Sequence, residues 1–378
     1  MEKRGRCLAS QEIRNLINQG KLIGNSISPS QIQPTSFDTT IGNEVYILDT
    51  ETEGIFRPHK DESVYRVLLR MGERQRYKAD ITNGFEIKKG FTYLFPLRER
   101  LVIEKGEYVR SSTKSSFGRL FINARMLADY NPSFNEITDH SKTNTELSLW
   151  LLVQPLTFNL IVYPGLAFNQ LRFFQNHDSQ LLPSEIIKEF TQNPLLCQRS
   201  PNGTLEPITP LVTDSLQIHL DISGRNEKGI VGLRARHNPN PLDLHKIGEY
   251  EVEHYFEAML RDDKPIRIVK GEHYLFASKE ILTIPSHLSS EVKAYSDVGL
   301  SGPLHFAGFI DSGFQGDLVF EVRSDEVSSM LLEDGMPISK LDFFYNEKPD
   351  IIYGQSGLGS NYQGQTGPKP AKFFKRNW

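Results

Sequence analysis

Cysteine is nearly absent from this 378-residue chain, with only Cys7 and Cys197, far apart in sequence. A disulfide framework is thereby excluded, and a reducing compartment fits best. Long hydrophobic runs are missing as well. "LWLLV" at 149–153 is among the longest and falls far short of the about 20 residues needed to cross a bilayer. The opening "MEKRGRCLASQEIRNL" is too polar for a signal peptide, so the expectation is a cytoplasmic protein without membrane attachment. Charge of one sign is not in excess either. A formal net charge of −4 gives no general attraction to nucleic acid or acidic membranes, so any polyanion must be held by a local cluster. Neither a Walker-type G-x-x-x-x-G-K-[ST] nor a strand-associated G-x-G-x-x-G occurs. The glycine-rich "YGQSGLGSNYQGQTG" at 353–367 lacks the helix that such a loop requires.

What is present is a duplication. Hydrophobic content of 38% with 24% charged residues is ordinary for a soluble globular chain, and the length suggests two domains. "FEIKKGFTYLFPLRERLVI", 85–103, lies over "IRIVKGEHYLFASKEILTI", 266–284, at a constant offset of 181, with nine of nineteen positions identical. The identities include Tyr93/Tyr274, Leu94/Leu275, Phe95/Phe276 and Glu99/Glu280. Further on, "YPGLAFNQLRFF", 163–174, matches "EDGMPISKLDFF", 333–344, at an offset of 170, so the first copy holds eleven extra residues between these landmarks. Two copies of a unit this long are not a solenoid, whose repeats run to roughly 20–50 residues. They read as one ancestral domain, duplicated and fused.

Within each copy, short runs rich in Val, Ile, Phe, Tyr and Leu alternate with Gly, Asn, Asp and Pro turns. That pattern predicts a mainly β fold, a sandwich or barrel, with few helices. One helix is expected over 10–19, capped by Ser10, with Ile13, Leu16 and Ile17 on one face, and another over "PSEIIKEF", 183–190. The expected boundaries are a first domain over 1–178, a linker with the short helix over 179–212, and a second domain over 213–378.

The copies differ where chemistry would sit. The offset of 181 carries "KSSFGRL", 114–120, onto "YSDVGLS", 295–301, so Lys114 faces Tyr295, Arg119 faces Leu300, and the second copy lacks both cations. Two hydroxyls, a lysine and an arginine around a glycine can hold a phosphate, and the competing reading is a solvated Ser-rich turn. Conversely, "GFIDSGFQGDLVFEVRS", 308–324, places Glu321 in an apolar strand. The offset of 170 puts it over Leu151, or over Leu152 if the extra residues are placed one position differently. The turn "FIDSGF", 309–314, has no recognisable counterpart in the first copy. A carboxyl buried there would have its pKa raised toward the range an acid/base catalyst needs. By strand alternation, however, Val319, Glu321 and Arg323 share a face that solvent could equally cover.

"AGFIDSGFQGDLVFEV", 307–322, with "GSNYQGQTGPKPAKFF", 359–374, resembles the dCTP deaminase branch of the trimeric dUTPase-like superfamily, and "KSSFGRL" resembles that family's Ser-Ser-x-x-Arg phosphate motif. The likeness extends to "ASQEIRNLINQGKLI" and "QPTSFDTTIGNEVYIL" near the start, and the long tandem-domain bacterial form is the nearest in kind. The resemblance implies two tandem distorted β-barrel or jelly-roll domains, a magnesium-bound deoxynucleoside triphosphate, and hydrolytic loss of ammonia from cytosine C4 without zinc. Two isolated cysteines indeed cannot supply the P-C-x-x-C of the zinc nucleobase deaminases. Carried over by position, Glu321 resembles the family's catalytic glutamate and Asp311 the acceptor of the 3′-hydroxyl. Phe314 stands where an aromatic flanks the sugar, and Ala307 and Gly308 match the backbone that reads the base edge. Tyr362 and Gln365, with Tyr353 upstream, match a lid over the phosphates. Lys114, Ser115, Ser116 and Arg119 match the phosphate clamp. Three positions depart from the family's pattern, Ser312 for Pro, Asn361 for Lys and Lys114 for Arg, and phosphate affinity is the property they bear on.

In the family's homotrimers one subunit gives the glutamate and sugar pocket and a neighbour the phosphate motif. The expectation here is a composite site, Ser115, Ser116 and Arg119 from the first copy with Asp311, Phe314 and Glu321 from the second, in a homo-oligomer or pseudo-trimeric assembly. Two alternatives stay open. One is a bifunctional enzyme that also converts dUTP to dUMP and pyrophosphate, and the other is a nucleotide-binding regulator without catalysis.

Overall fold

The computed structural model describes residues 4–49, 56–72, 76–138, 142–176, 179–200, 202–224, 228–238, 240–262, 264–294, 307–323, 329–356 and 358–376. The expected comparison of 114–120 with 295–301 therefore lies wholly outside the described residues in its second member.

Two units emerge, Met1–Ser179 with Pro239–Lys246, and Gln180–Asn238 with Ile247–Trp378. Among the described residues the first unit holds sheets of five, six and three strands, and the second holds sheets of ten and two. Of the expected linker over 179–212, residues 180–212 lie in the second unit. Their helix, Pro183–Gln192, buries Ile186, and Leu195 and Leu196 join the second unit's core. The first helix, Ser10–Asn18, begins on Ser10 rather than being capped by it. Ala9 is the N-cap, and its free N–H is taken by the Glu12 carboxylate (3.0 Å), which Arg6 also holds (2.7 Å). No helix among the described residues is long and apolar enough to cross a membrane, which says nothing of crossing by strands.

The duplication is written in the sheet registers. In the first unit the long strand Thr92–Leu101 pairs with Glu44–Leu48 and Leu147–Pro155. In the second unit His273–Thr283 pairs in the same way with Ile230–Ala235 and Gln315–Arg323. The shared tyrosines explain part of the sequence identity, since Tyr93 accepts the Lys88 N–H (2.7 Å) and Tyr274 the Val269 N–H (3.2 Å) through their phenol oxygens. Burial pushes both phenols up in pKa, and the backbone bond opposes it. The shared glutamates match too. Buried Glu99 accepts from Thr40 N (2.8 Å) and Gln31 Nε2 (2.7 Å), and buried Glu280 accepts from His219 N (3.0 Å) and pairs with its ring. Both long strands bulge at the same place, between Pro96 and Arg100 and between Ala277 and Ile281, where each crosses from one set of partners to the next.

Candidate active site

The two halves of the expected site are best built separately. In the first unit the strand Glu107–Thr113 ends at Lys114, and Ser115–Gly118 make one helical turn. Phe117 anchors that turn against Phe168 at a ring-centroid distance of 4.6 Å. Lys114 N–H donates to Phe168 O (2.9 Å), and the Lys114 ammonium pairs with the buried Asp38 carboxylate. Its charge therefore has a partner in its own unit. Ser116 and Arg119 are buried, Arg119 at 2% exposure, and Ser115 is half-buried. An arginine so enclosed keeps its charge and loses most of its rotamer freedom, which suits a preorganised oxyanion ligand.

In the second unit the segment Ala307 to Phe314 runs directly into the strand that carries Glu321. Gly308 O accepts from Val292 N (2.7 Å), which ties it to the strand Leu288–Ala294. Asp311 to Phe314 form a tight turn closed by Phe314 N–H to Asp311 O (3.2 Å). Gly313 has φ +88°, and a Cβ there would fall 2.1 Å from Ile352 Cγ2, so only glycine fits the third position. Ser312 takes the second position of the turn, where proline is favoured in such turns. Its hydroxyl is used instead, donating to Leu288 O (2.6 Å). The serine thus ties the turn to the strand Leu288–Ala294 through a bond that proline could not make.

Glu321 is 1% exposed, and only the partly exposed Val319 and Arg323 reach toward solvent on its stretch of strand. The solvent-facing alternative is therefore not what the fold does, because Glu321 is buried on a face where Val319 and Arg323 keep partial exposure. Leu275 stands opposite Glu321 and Leu94 opposite Leu152, so with Leu94 and Leu275 equivalent, Leu152 is the counterpart of Glu321. Register also finds a counterpart that the sequence does not show. The pair Glu136–Ile137 stands on the strand Glu107–Thr113 as Phe309–Ile310 stands on Leu288–Ala294, which sets Thr138 at the place of Asp311 and Phe134 at that of Ala307. Around Leu152 the first unit packs Tyr46, Val64, Leu68, Leu94 and Trp150, with Phe134 against them. Val64 and Leu68 come from the helix Val64–Arg70, whose N-terminus is held by Val64 N–H to Asp129 Oδ1 (2.8 Å). Hydrocarbon thus surrounds the counterpart position in the first unit.

The C-terminal residues are strapped along the start of the Glu321 strand. Gly364 N–H donates to Gln315 O (2.8 Å), Asp317 N–H to Gln365 O (3.1 Å), Gln365 Nε2 to Asp317 O, and Gly367 N–H to Asp317 Oδ2 (2.8 Å). Gly316, at φ +152°, permits this approach, since a Cβ would stand 3.1 Å from Gln365 N. Phe314 and Tyr353 meet edge to face at 5.6 Å, and the Tyr353 hydroxyl oxygen accepts from Tyr362 N (3.3 Å). Phe314, Tyr353, Tyr362 and Gln365 therefore gather with Asp311 around residues 311–317. Tyr362 and Gln365 are buried and already bonded, so in this conformation they brace the segment. Sequence reasoning missed Asp317. Its signal was a second carboxylate in the same apolar strand, two positions after Gln315 and four before Glu321.

Comparison with known proteins follows the same division. Residues 4–177 match the family described as 2'-deoxycytidine 5'-triphosphate deaminase (DCD) N-terminal domain, and residues 191–374 match the C-terminal domain of the same description. A protein named "dCTP deaminase, dUMP-forming" from Corynebacterium efficiens is 38% identical over 132 residues, 34% of this chain and 67% of that protein. One of the same name from Nocardioides sp. is 34% identical over 116 residues, 30% of this chain and 61% of that protein. The aligned segments thus span only about two thirds of these relatives' own length. The crystal structure of 2'-deoxycytidine 5'-triphosphate deaminase from Agrobacterium tumefaciens is 26% identical, superposes with a TM-score of 0.82, and covers 92% of this chain and 100% of its own. By two-domain sequence match and by fold together, the chain belongs to the 2'-deoxycytidine 5'-triphosphate deaminase family, in a form that carries both its N-terminal and its C-terminal domain.

Proposed function

We propose that the chain hydrolyses dCTP at cytosine C4, releasing ammonia and leaving the uracil nucleotide. The observation that carries this reading is the enclosure of Glu321 in an apolar strand at a register where the sister unit has Leu152. A buried carboxylate at a place where the same fold packs leucine costs stability, and such a cost is retained where the group has chemical work. Glu321 takes a proton from the attacking water and passes it to the departing amine, so that water and dCTP give dUTP and ammonia. Proton transfer by a placed group typically contributes ~10²–10⁴-fold. Asp311 receives the 3′-hydroxyl, Phe314 flanks the sugar, and Ala307 and Gly308 read the base edge. Ser115, Ser116 and Arg119 are the phosphate ligands, whether from the same chain or another copy in a homo-oligomer or pseudo-trimeric assembly.

Among the described residues no three His, Cys, Asp or Glu side chains come together to hold a metal. In this reading magnesium comes with the triphosphate, whose charge it would offset, and Glu321 rather than zinc would activate the water. A second reading is favoured by the printed names of the relatives, which are dUMP-forming. In that case the same chain also cleaves the triphosphate, giving dUMP and pyrophosphate. Incubation with dCTP and magnesium, with ammonia, pyrophosphate and nucleotide products measured together, tests both. Ammonia with dUTP supports deamination alone, ammonia with dUMP and pyrophosphate supports the bifunctional reading, and binding without ammonia refutes both. Glu321→Gln should bind dCTP and release no ammonia.

A further inference from the structure

In the first unit a pair of opposite charges ties the Ser-Ser-x-x-Arg turn to a neighbouring strand. Lys114 is the N-cap residue of the turn Ser115–Gly118. Its carbonyl oxygen accepts from Phe117 N (2.8 Å) and Gly118 N (2.9 Å), and its own N–H donates to Phe168 O (2.9 Å). Its ammonium is bonded to the Asp38 carboxylate. Asp38 belongs to the strand Phe37–Thr39 and is buried, at 5% exposure. It stands opposite Gln170, and its carbonyl oxygen accepts from Gln31 Nε2 (2.9 Å), so the carboxylate is carried by a fixed element. The fold itself does not require that carboxylate. With Leu171 and Leu341 equivalent, the registers of Phe37 with Leu171 and of Leu216 with Leu341 set Gln217 at the place of Asp38. The offset of 181 sets Tyr295 at the place of Lys114. The copy that carries the turn has both charges, and the copy without it has neither.

A carboxylate buried next to a turn that binds phosphate works against the ligand unless a cation is set against it. Lys114 supplies that cation. It could become a phosphate ligand only by giving up its bond to a buried carboxylate, and breaking such a pair from one side is strongly unfavourable. Held as it is, the ammonium pins the residue whose carbonyl starts the turn, immediately before Ser115. A supporting pair of this kind fixes the groups that meet the ligand without meeting it itself. We propose that Asp38 and Lys114 are positioning residues, which hold Ser115, Ser116 and Arg119 in the geometry that binds the triphosphate, and that Lys114 makes no bond to phosphate. This rests on the reading of the turn as a phosphate clamp, and it gives Lys114 a task other than the one the family likeness implies.

The test uses the full chain, titrated calorimetrically with inorganic tripolyphosphate, with dCTP and with deoxycytidine at several salt concentrations. Asp38→Leu with Lys114→Met keeps the net charge and removes the tie. It should weaken tripolyphosphate and dCTP by about tenfold, the scale expected when ligands leave a preorganised geometry. Amide exchange at Phe117, Gly118 and Arg119 should quicken, deoxycytidine binding should not change, and the loss should fall on KM rather than on kcat. The salt dependence should match that of the wild type, because no ionic bond to phosphate is removed. Lys114→Arg should keep most of the affinity. Should the double variant fold poorly, Asp38→Glu, which keeps both charges and lengthens one arm, is read in the same way. Wild-type affinity in the double variant would overturn the proposal, and so would a flatter salt dependence, which marks Lys114 as a phosphate ligand. An equal loss for deoxycytidine with a lowered Tm would leave the pair a structural role only. Arg119→Ala that binds tripolyphosphate as the wild type does would sink the phosphate clamp and the proposal with it. Wild-type chain that gives every expected binding result yet releases no ammonia from dCTP would sink the deaminase reading alone.

Discussion

Replacing Glu321 by leucine asks whether the carboxylate is there for the fold or for the chemistry. The first unit already contains the answer for packing, because Leu152 holds the equivalent register opposite Leu94 and is buried in a hydrocarbon cluster. Leu275 stands across the sheet from Glu321, and Val319 and Arg323 share its face, so a leucine there meets in Leu275 the kind of neighbour that Leu152 has in Leu94. A fully buried leucine side chain contributes about 1.5–3 kcal/mol. Burying a polar or charged group costs stability that hydrocarbon of similar volume does not. Glu321→Leu should therefore stabilise the second unit by about 1–3 kcal/mol, which at roughly 2–4 °C per kcal/mol for a domain of this size is visible in a thermal melt. Ammonia release should fall by at least ~10²–10⁴-fold over the same change. The pairing of higher Tm with lost turnover is the signature of a residue kept against the interests of packing. A variant that loses stability and activity together would show Glu321 to be structural, and one that still deaminates would remove it from the mechanism.

The two buried tyrosines offer a matched pair: Tyr93→Phe and Tyr274→Phe each leave a backbone N–H, Lys88 or Val269, without its acceptor, costing ~1–3 kcal/mol. Hydrogen exchange should show each loss confined to its own unit, and loss in both units from one substitution would contradict the repeat. Gly313→Ala places a β-carbon at φ +88° and 2.1 Å from Ile352, so an unfolding free energy lowered by about 2–4 kcal/mol is expected, with a raised KM through Asp311 and Phe314. A change within about 0.5 kcal/mol would refute the turn geometry. Burial pushes the Asp129 carboxyl up in pKa, so its contribution to stability is full below the unfolded value and is lost as pH rises through the folded one. Asp129→Asn, which keeps an acceptor for Val64 N–H, should accordingly gain on the wild type between pH 4 and 7, and a constant difference across that range would refute this.

The sequence alone carried the duplication, because identities such as Tyr93/Tyr274 and Glu99/Glu280 sit at positions where a side chain satisfies a fixed backbone group. It also carried the location of the Glu321 strand and of the turn at Ser115–Gly118, since both are local and marked by residue type. It left the partner of Glu321 between Leu151 and Leu152, because a strand slipped by one residue keeps its composition and changes only its face. Register decides for Leu152. Thr138 and Phe134 were invisible as counterparts because pairing with Arg110 and Val109, rather than any shared side chain, defines their place. The cap of the first helix was misplaced by one residue, since Glu12 can serve Ala9 N–H without a hydroxyl at the cap. The 180–212 stretch read as a linker because its polar surface residues outnumber Leu181, Ile186, Leu195 and Leu196, the few that carry it into the second unit's core.

The contrast between Leu152 and Glu321 bears on why the chain keeps two copies of one fold. A single domain that must both pack well and hold a carboxylate in its interior faces a local conflict at one strand position. In the first unit that conflict is absent: Leu152 with Phe134, Val64, Leu68 and Trp150 fills the volume with hydrocarbon, and the residues proposed to bind phosphate sit in a short turn after the strand Glu107–Thr113. In the second unit Asp311, Asp317 and Glu321 are all buried within eleven residues, and glycines at 313 and 316 are needed to fit the turn and the C-terminal strap around them. Dividing the roles lets one unit be optimised for packing and the other for placing charge. A substitution toward hydrocarbon at 321 should then raise stability and lower turnover, whereas the same change at Leu152 is already made.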